Sequence, residues 1–156
     1  MKKGELLSQP FIYILALITI VLLFFFGYKA INDFQQKAEL VELGNFVNDL
    51  KYNIKTYYNF DVGSSKQINL NLPKKVKKVC FTNLNEIPNS ADPELKLLMN
   101  NNDNMYIFPI EDFSMNSFKI DYLKVSQAPL CFNVNGKFIA TITKIIYDKK
   151  SYVELK

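Results

Sequence analysis

The chain has 156 residues, a formal net charge of +4, two cysteines, and neither histidine nor tryptophan. A length of this order suits one membrane span plus one modest domain, and the missing histidine removes the commonest general base and metal ligand. Two widely separated cysteines do not make a zinc site, no phosphate-binding glycine loop or serine elbow occurs, and Asp61, Glu111, Asp112 and Asp121 are scattered. The composition therefore points away from an enzyme and implies no cofactor, no metal and no small-molecule substrate.

Residues 1–5 are a short basic leader carrying Lys2 and Lys3. Residues 6–28 contain no charge, and charged residues close the run on both sides, Glu5 before it and Lys29 after it. At ~1.5 Å rise per residue this stretch reaches roughly 35 Å as a helix, enough to cross a bilayer core of ~30 Å. It is apolar on every face, which a core helix of a small protein is not, and it is longer than the apolar region of a removable signal. The lipid bilayer is thus the first expected partner. The leader lysines favour a cytoplasmic amino end. Both cysteines lie beyond the span, where an outward domain meets a disulfide-permissive compartment. The expected location is the cell membrane, crossed once, with the carboxy-terminal part outside.

The helix is expected to continue through residues 29–60. Leu40, Leu43, Val47, Leu50, Ile54 and Tyr57 recur at spacings of three and four among charged and polar residues, which is the pattern of a one-sided amphipathic helix. Two uses of that stripe stay open. It packs on the chain's own domain, or it is a seam for another membrane or pilin-like subunit, since the spacing also suits a short coiled coil.

Residues 61–156 read as a β-rich domain. Gly63 and the serines after it end the helix. Ile68, Leu70 and Leu72 then alternate with polar residues, the period of a half-buried strand. Further strands are expected at about 75–82, 105–109, 117–123, 129–134, 137–146 and 151–155. A short helix is expected at residues 92–99, with Asp92 as N-cap and Pro93 at its first position. The asparagine-rich run 100–104 reads as an exposed loop. Asn135 and Gly136 between apolar alternating runs predict a hairpin. The fold class is α+β: an N-terminal transmembrane helix, its amphipathic extension, and a mainly antiparallel sheet with the helix laid on its apolar face.

Lys74, Lys75, Lys77 and Lys78 form the one dense charge feature. They could contact an anionic partner, or they could guard the edge of a strand from pairing with other chains. The run lacks the interleaved aromatics of a nucleic-acid platform, so nucleic acid is not an expected partner. Cys80 and Cys131 each sit in an expected strand and each precedes a phenylalanine. One disulfide between them is expected, against the alternative of two buried thiols behaving as small hydrophobes.

Lys2, Lys3, Gly4 and Glu5, directly followed by an apolar run, a long amphipathic helix and a β-rich domain, resemble archaeal type IV pilins and pilin-like proteins. The outer strands also resemble archaeal single-pass membrane proteins of the same plan. In the pilin family a dedicated peptidase cuts after the glycine, and the apolar helices bundle into a filament core. The resemblance implies a cut between Gly4 and Glu5. Gln9 stands where many members carry Glu, and Pro10 lies unusually near the start, which fits a minor or accessory subunit better than a major one. Two functional expectations follow. One is a membrane-anchored protein displaying a small β-rich domain outside the cell for binding or envelope structure. The other is a minor pilin-like subunit whose helix packs into a filament or secretion-type assembly.

Overall fold

A computed structural model describes residues 9–84, 92–99, 102–111, 113 and 115–156. The fold is α+β. Helix α1 runs from Gln9–Tyr58 and is 50 residues long. Among the described residues eight strands and a second helix follow: β1 (Ser65–Asn71), β2 (Lys78–Phe81), α2 (Pro93–Leu98), β3 (Met105–Phe108), β4 (Ser117–Phe118), β5 (Leu123–Val125), β6 (Leu130–Asn133), β7 (Lys137–Tyr147) and β8 (Lys150–Leu155). The chain divides into two compact units, Met1–Glu39 and Leu40–Lys156. The second unit starts inside α1, because the last turns of that helix supply part of its core.

That core explains the amphipathic stripe. Leu43, Phe46, Val47, Leu50 and Ile54 are all buried, in one cluster with Ile68, Phe138 and Ile142 from one sheet and Val79, Phe81, Met105 and Ile107 from the other. The Phe46 and Phe138 rings meet edge to face at 5.5 Å. Each such side chain contributes ~1.5–3 kcal/mol relative to leaving it in water. From Leu43 to Ile54 the stripe is therefore occupied by the chain's own domain, whereas Leu40 is 45% exposed. The helix ends as the Asn59 and Phe60 N–H groups donate to the Thr56 and Tyr57 carbonyls. Gly63 then takes a left-handed φ of 92°.

The strands form two four-stranded sheets, in the orders β1-β7-β8-β5 and β4-β3-β2-β6, rather than the single sheet expected. All pairings are antiparallel except β5 with β8. The Asn135–Gly136 signal is corrected here. Gly136 does take a positive φ of 71°, but β6 and β7 do not pair with each other: β6 pairs with β2, and β7 with β1. The chain 65–81 thus runs antiparallel to the chain 130–143 through both sheets as one ribbon. The ribbon turns a corner where residues 72–77 lie beside residues 134–136. The corner is held by Leu72 N–H to Gly136 O at 3.0 Å and Val134 N–H to Lys77 O at 2.9 Å. Strands that pass from one sheet to another through a bend are a recognised way to close a two-sheet core. The local φ > 0 requirement that Asn-Gly satisfies is the same in a corner and in a hairpin.

Two further expectations change. The strand expected at 117–123 is split into β4 and β5, because Asn104 clamps the chain between them. Its amide donates to the Ile120 carbonyl at 3.0 Å and its Oδ1 accepts from the Ile120 N–H at 2.7 Å. Asn104 is itself fully buried, unlike the exposed loop expected there; residues 100 and 101 lie outside the described residues. The strand expected from residue 75 begins only at Lys78, since Lys74 and Lys75 are in the turn of the corner. The hairpin between β7 and β8 is closed instead by Asp148 and Lys149, at φ 49° and 60°, the two successive positive values of a type I′ turn.

All four residues of β3 are buried, because its sheet is covered on both faces. On the second face Cys80, Leu95, Tyr106 and Phe108 form a smaller cluster with Leu98 and Met99 packed against it. Asp92 stands at the N-cap of α2 but makes no side-chain cap bond. Its carboxylate accepts from Lys78 Nζ at 3.1 Å instead, and this hydrogen bond holds its pKa below the usual value.

Candidate functional site

Three features of the described residues bear on function: the apolar length of α1, the lysine corner, and the cysteine pair. From Pro10 to Tyr28 the helix carries no charge, and its large apolar side chains are exposed, Phe11 at 74% and Phe24 at 76%. This part of α1 is long and apolar enough to cross a membrane, with a mean hydropathy of 2.6 and none of that window buried. Gly4 and Glu5, the expected leader junction, lie outside the described residues.

The four lysines sit at the corner between the sheets. Lys74, Lys75 and Lys77 are exposed, and Lys78 is partly buried. Lys77 Nζ donates to the Lys74 carbonyl at 3.1 Å. Lys78 pairs with Asp92 and lies 4.6 Å from the Phe108 ring centroid. The expectation that these lysines guard a strand edge is corrected. β2 is an interior strand, paired with β3 on one side and β6 on the other, so it has no edge to guard. Lys77 and Lys78 thus each have a partner within the chain.

The structure brings the two cysteines together. Cys80 and Cys131 stand directly opposite each other on β2 and β6, joined by a 2.02 Å S–S bond with Cα atoms 4.0 Å apart. Cys80 is buried against the small cluster beside α2, whereas Cys131 is exposed. The bridge therefore fastens the ribbon just past its corner.

Sequence reading did not single out Lys144, which is 6% exposed on the inner face of β7. Its ammonium donates to the Tyr58 carbonyl and lies 4.2 Å from the Tyr58 ring centroid. The Tyr58 ring in turn stacks on Tyr122 at 4.0 Å. A cation at the carbonyl end of a helix is favoured by the helix dipole, so Lys144 fixes the end of α1 to the sheet. Lys144→Met keeps the length and removes the donor. It is expected to lower the unfolding free energy by about 1 kcal/mol, the unpaired carbonyl outweighing relief from burying a charge. An unchanged denaturation midpoint would contradict this role.

Among the described residues no group of three or more His, Cys, Asp or Glu could hold a metal ion. A recess of ≈ 330 Å³ is lined by Asn83, Lys124, Val125, Ser126, Ile145, Tyr147 and Glu154. Its charged groups are engaged: Lys124 Nζ lies 3.9 Å from the Tyr147 ring centroid, and Glu154 pairs with Lys156 at 2.7 Å. The recess brings together no nucleophile and base. In comparisons with known proteins, no family model, no curated protein and no solved structure matches this chain.

Proposed function

We propose that the chain is a single-pass membrane protein that holds a small β-rich domain outside the cell for binding or envelope structure. The observation that carries this reading is the contrast along α1. Leu43 to Ile54 bury their apolar stripe in the chain's own core, whereas Phe11 to Phe26 leave theirs exposed. Exposed apolar surface of that length is costly in water and is at home in hydrocarbon. The leader lysines support a cytoplasmic amino end, and the cysteine bridge supports an oxidising compartment for the domain. A pilin-like assembly role is the second reading, carried by the motif Lys2, Lys3, Gly4, Glu5 before the apolar run.

One experiment addresses both. Membranes from cells making the full chain are washed with alkaline carbonate, and intact cells are treated with an impermeant protease. The protein is expected to stay in the washed membranes and its β-rich domain to be cut away from intact cells. Release by carbonate would reject the membrane reading, and protection until lysis would reject the orientation. The intact mass of the same material separates the two readings. A chain starting at Glu5, with Gly4→Leu blocking the cut, supports the pilin-like role, and a chain starting at Met1 removes its main support.

A further inference from the structure

We propose that two copies of this chain pair through the free edge of β1, with β1 of one copy antiparallel to β1 of the other about a two-fold axis at Ile68. β1 ends its sheet, whose order is β1-β7-β8-β5. Among the described residues the other edge strands, β4, β5 and β6, have two, three and four residues, whereas β1 has seven. Short edge strands, prolines and bulges are the usual guards against edge-to-edge pairing. β1 is long, contains no proline, and keeps an unbroken register with β7 from Ser65↔Thr143 to Asn71↔Lys137. The phase of that ladder shows which backbone groups are unused. Lys144 N–H donates to Ser64 O at 2.9 Å and Leu72 N–H to Gly136 O at 3.0 Å, both in line with the same register. Hydrogen-bonded residues alternate along an antiparallel pair. Lys66, Ile68 and Leu70 therefore bond to β7, and Ser65, Gln67, Asn69 and Asn71 turn their N–H and C=O groups outward. All four of these outward residues are exposed.

A row of outward backbone donors and acceptors fits an extended strand, and the side chains identify which one. In the register centred on Ile68, all seven residues of β1 pair with the seven of a second β1. Ser65 stands opposite Asn71 and Gln67 opposite Asn69, each pair occurring twice and each exchanging two backbone bonds. Carboxamides donate and accept alike, so these side chains complement their own copies. Lys66, the one charge in β1, stands opposite the half-buried Leu70, whose open side its methylene stem covers. The two lysines are then four residues apart along the strands, about 14 Å, and no like charges face each other. The product is one continuous sheet with β1 of each copy at its centre.

The test uses cells making the full chain and a short, membrane-permeant thiol-to-thiol crosslinker, so its outcome does not depend on where the domain lies. Single cysteines are introduced by Ser65→Cys, Gln67→Cys, Asn69→Cys and Asn71→Cys; the Cys80–Cys131 bridge supplies no free thiol. In the centred register residue 67 meets its own copy on the diagonal, at about 7–8 Å, and so does residue 69. Residues 65 and 71 are each six positions from their copies, about 20 Å. Dimers are therefore expected at 67 and 69, several-fold above 65 and 71. Any other pattern, including equal yield at all four positions, yield at none, or capture of a different protein at 67 without dimer, overturns the proposal. Asn69→Pro is then added to the Gln67→Cys chain. An edge strand tolerates proline where the N–H faces away from its sheet, so this variant is expected to melt cooperatively while its dimer yield falls about tenfold or more. Asn69→Lys on the same background, which sets like charges across the axis, is expected to lower the yield likewise and serves where the proline variant does not fold. Undiminished dimer in either folded variant overturns the proposal.

Discussion

Reducing the Cys80–Cys131 bridge is expected to remove about 4 kcal/mol of stability from the β-rich unit. The two cysteines are separated by 51 residues, and in the chain-entropy account closing a loop of that size restricts the unfolded ensemble by about 4 kcal/mol at 25 °C. Against a typical net stability of ~5–15 kcal/mol for a domain, that is a large share. The melting temperature in reductant should fall by about 15 °C. The double variant Cys80→Ala with Cys131→Ala should match the reduced wild type and show no further response to reductant. A loss below ~1 kcal/mol would mean that the paired strands already hold the unfolded chain's ends together without the bond.

The second large effect is expected at Leu50. This side chain is fully buried, in the cluster to which α1 and both sheets contribute. Leu50→Ala removes three heavy atoms from this fully buried site, and the expected loss is about 3–4 kcal/mol from transfer and cavity together. Tyr52→Ala is the matched control: it is on the same helix two residues on and is 72% exposed, so its effect on unfolding should stay within ~0.5 kcal/mol. Equal losses at the two positions would show that the helix contributes through its own propensity and not through the core.

Much of this architecture is readable in the residues, and the parts that are not share a cause. The helix is legible because its apolar stripe repeats at the helical period and no proline follows Pro10 before Pro73. The strands at Ser65–Asn71 and Lys137–Tyr147 are legible because polar and apolar residues alternate. Pairing partners are not local information. Asn135–Gly136 specifies a backbone bend, and whether that bend closes a hairpin or turns a corner is decided by residues 65–81, more than fifty positions away. Asn104 looks like one more loop asparagine, yet its amide pairs with both polar groups of Ile120. Lys144 looks like a solvated lysine in an alternating strand and is instead anchored at the end of α1. In the candidate site the cysteine pairing is foreshadowed by the matching phenylalanines after each cysteine, whereas the lysine run alone does not decide between a contact patch and an edge guard, because sheet order is invisible in a strand's own sequence.

The corner ribbon also governs the order in which the protein can form. Ser65 and Thr143, which share a side-chain hydrogen bond at 3.1 Å, are 78 residues apart in the chain. A topology dominated by such distant pairings has high contact order, and folding then takes ~ms to s rather than μs. A chain made amino end first delivers Leu43 to Ile54 long before Phe138 and Ile142 exist to cover them, and at ~5–20 residues per second that interval lasts several seconds. During it the apolar stripe stands uncovered, and β1 offers an unpaired edge. Misassembled forms are therefore expected to arise from nascent chains rather than from the finished fold.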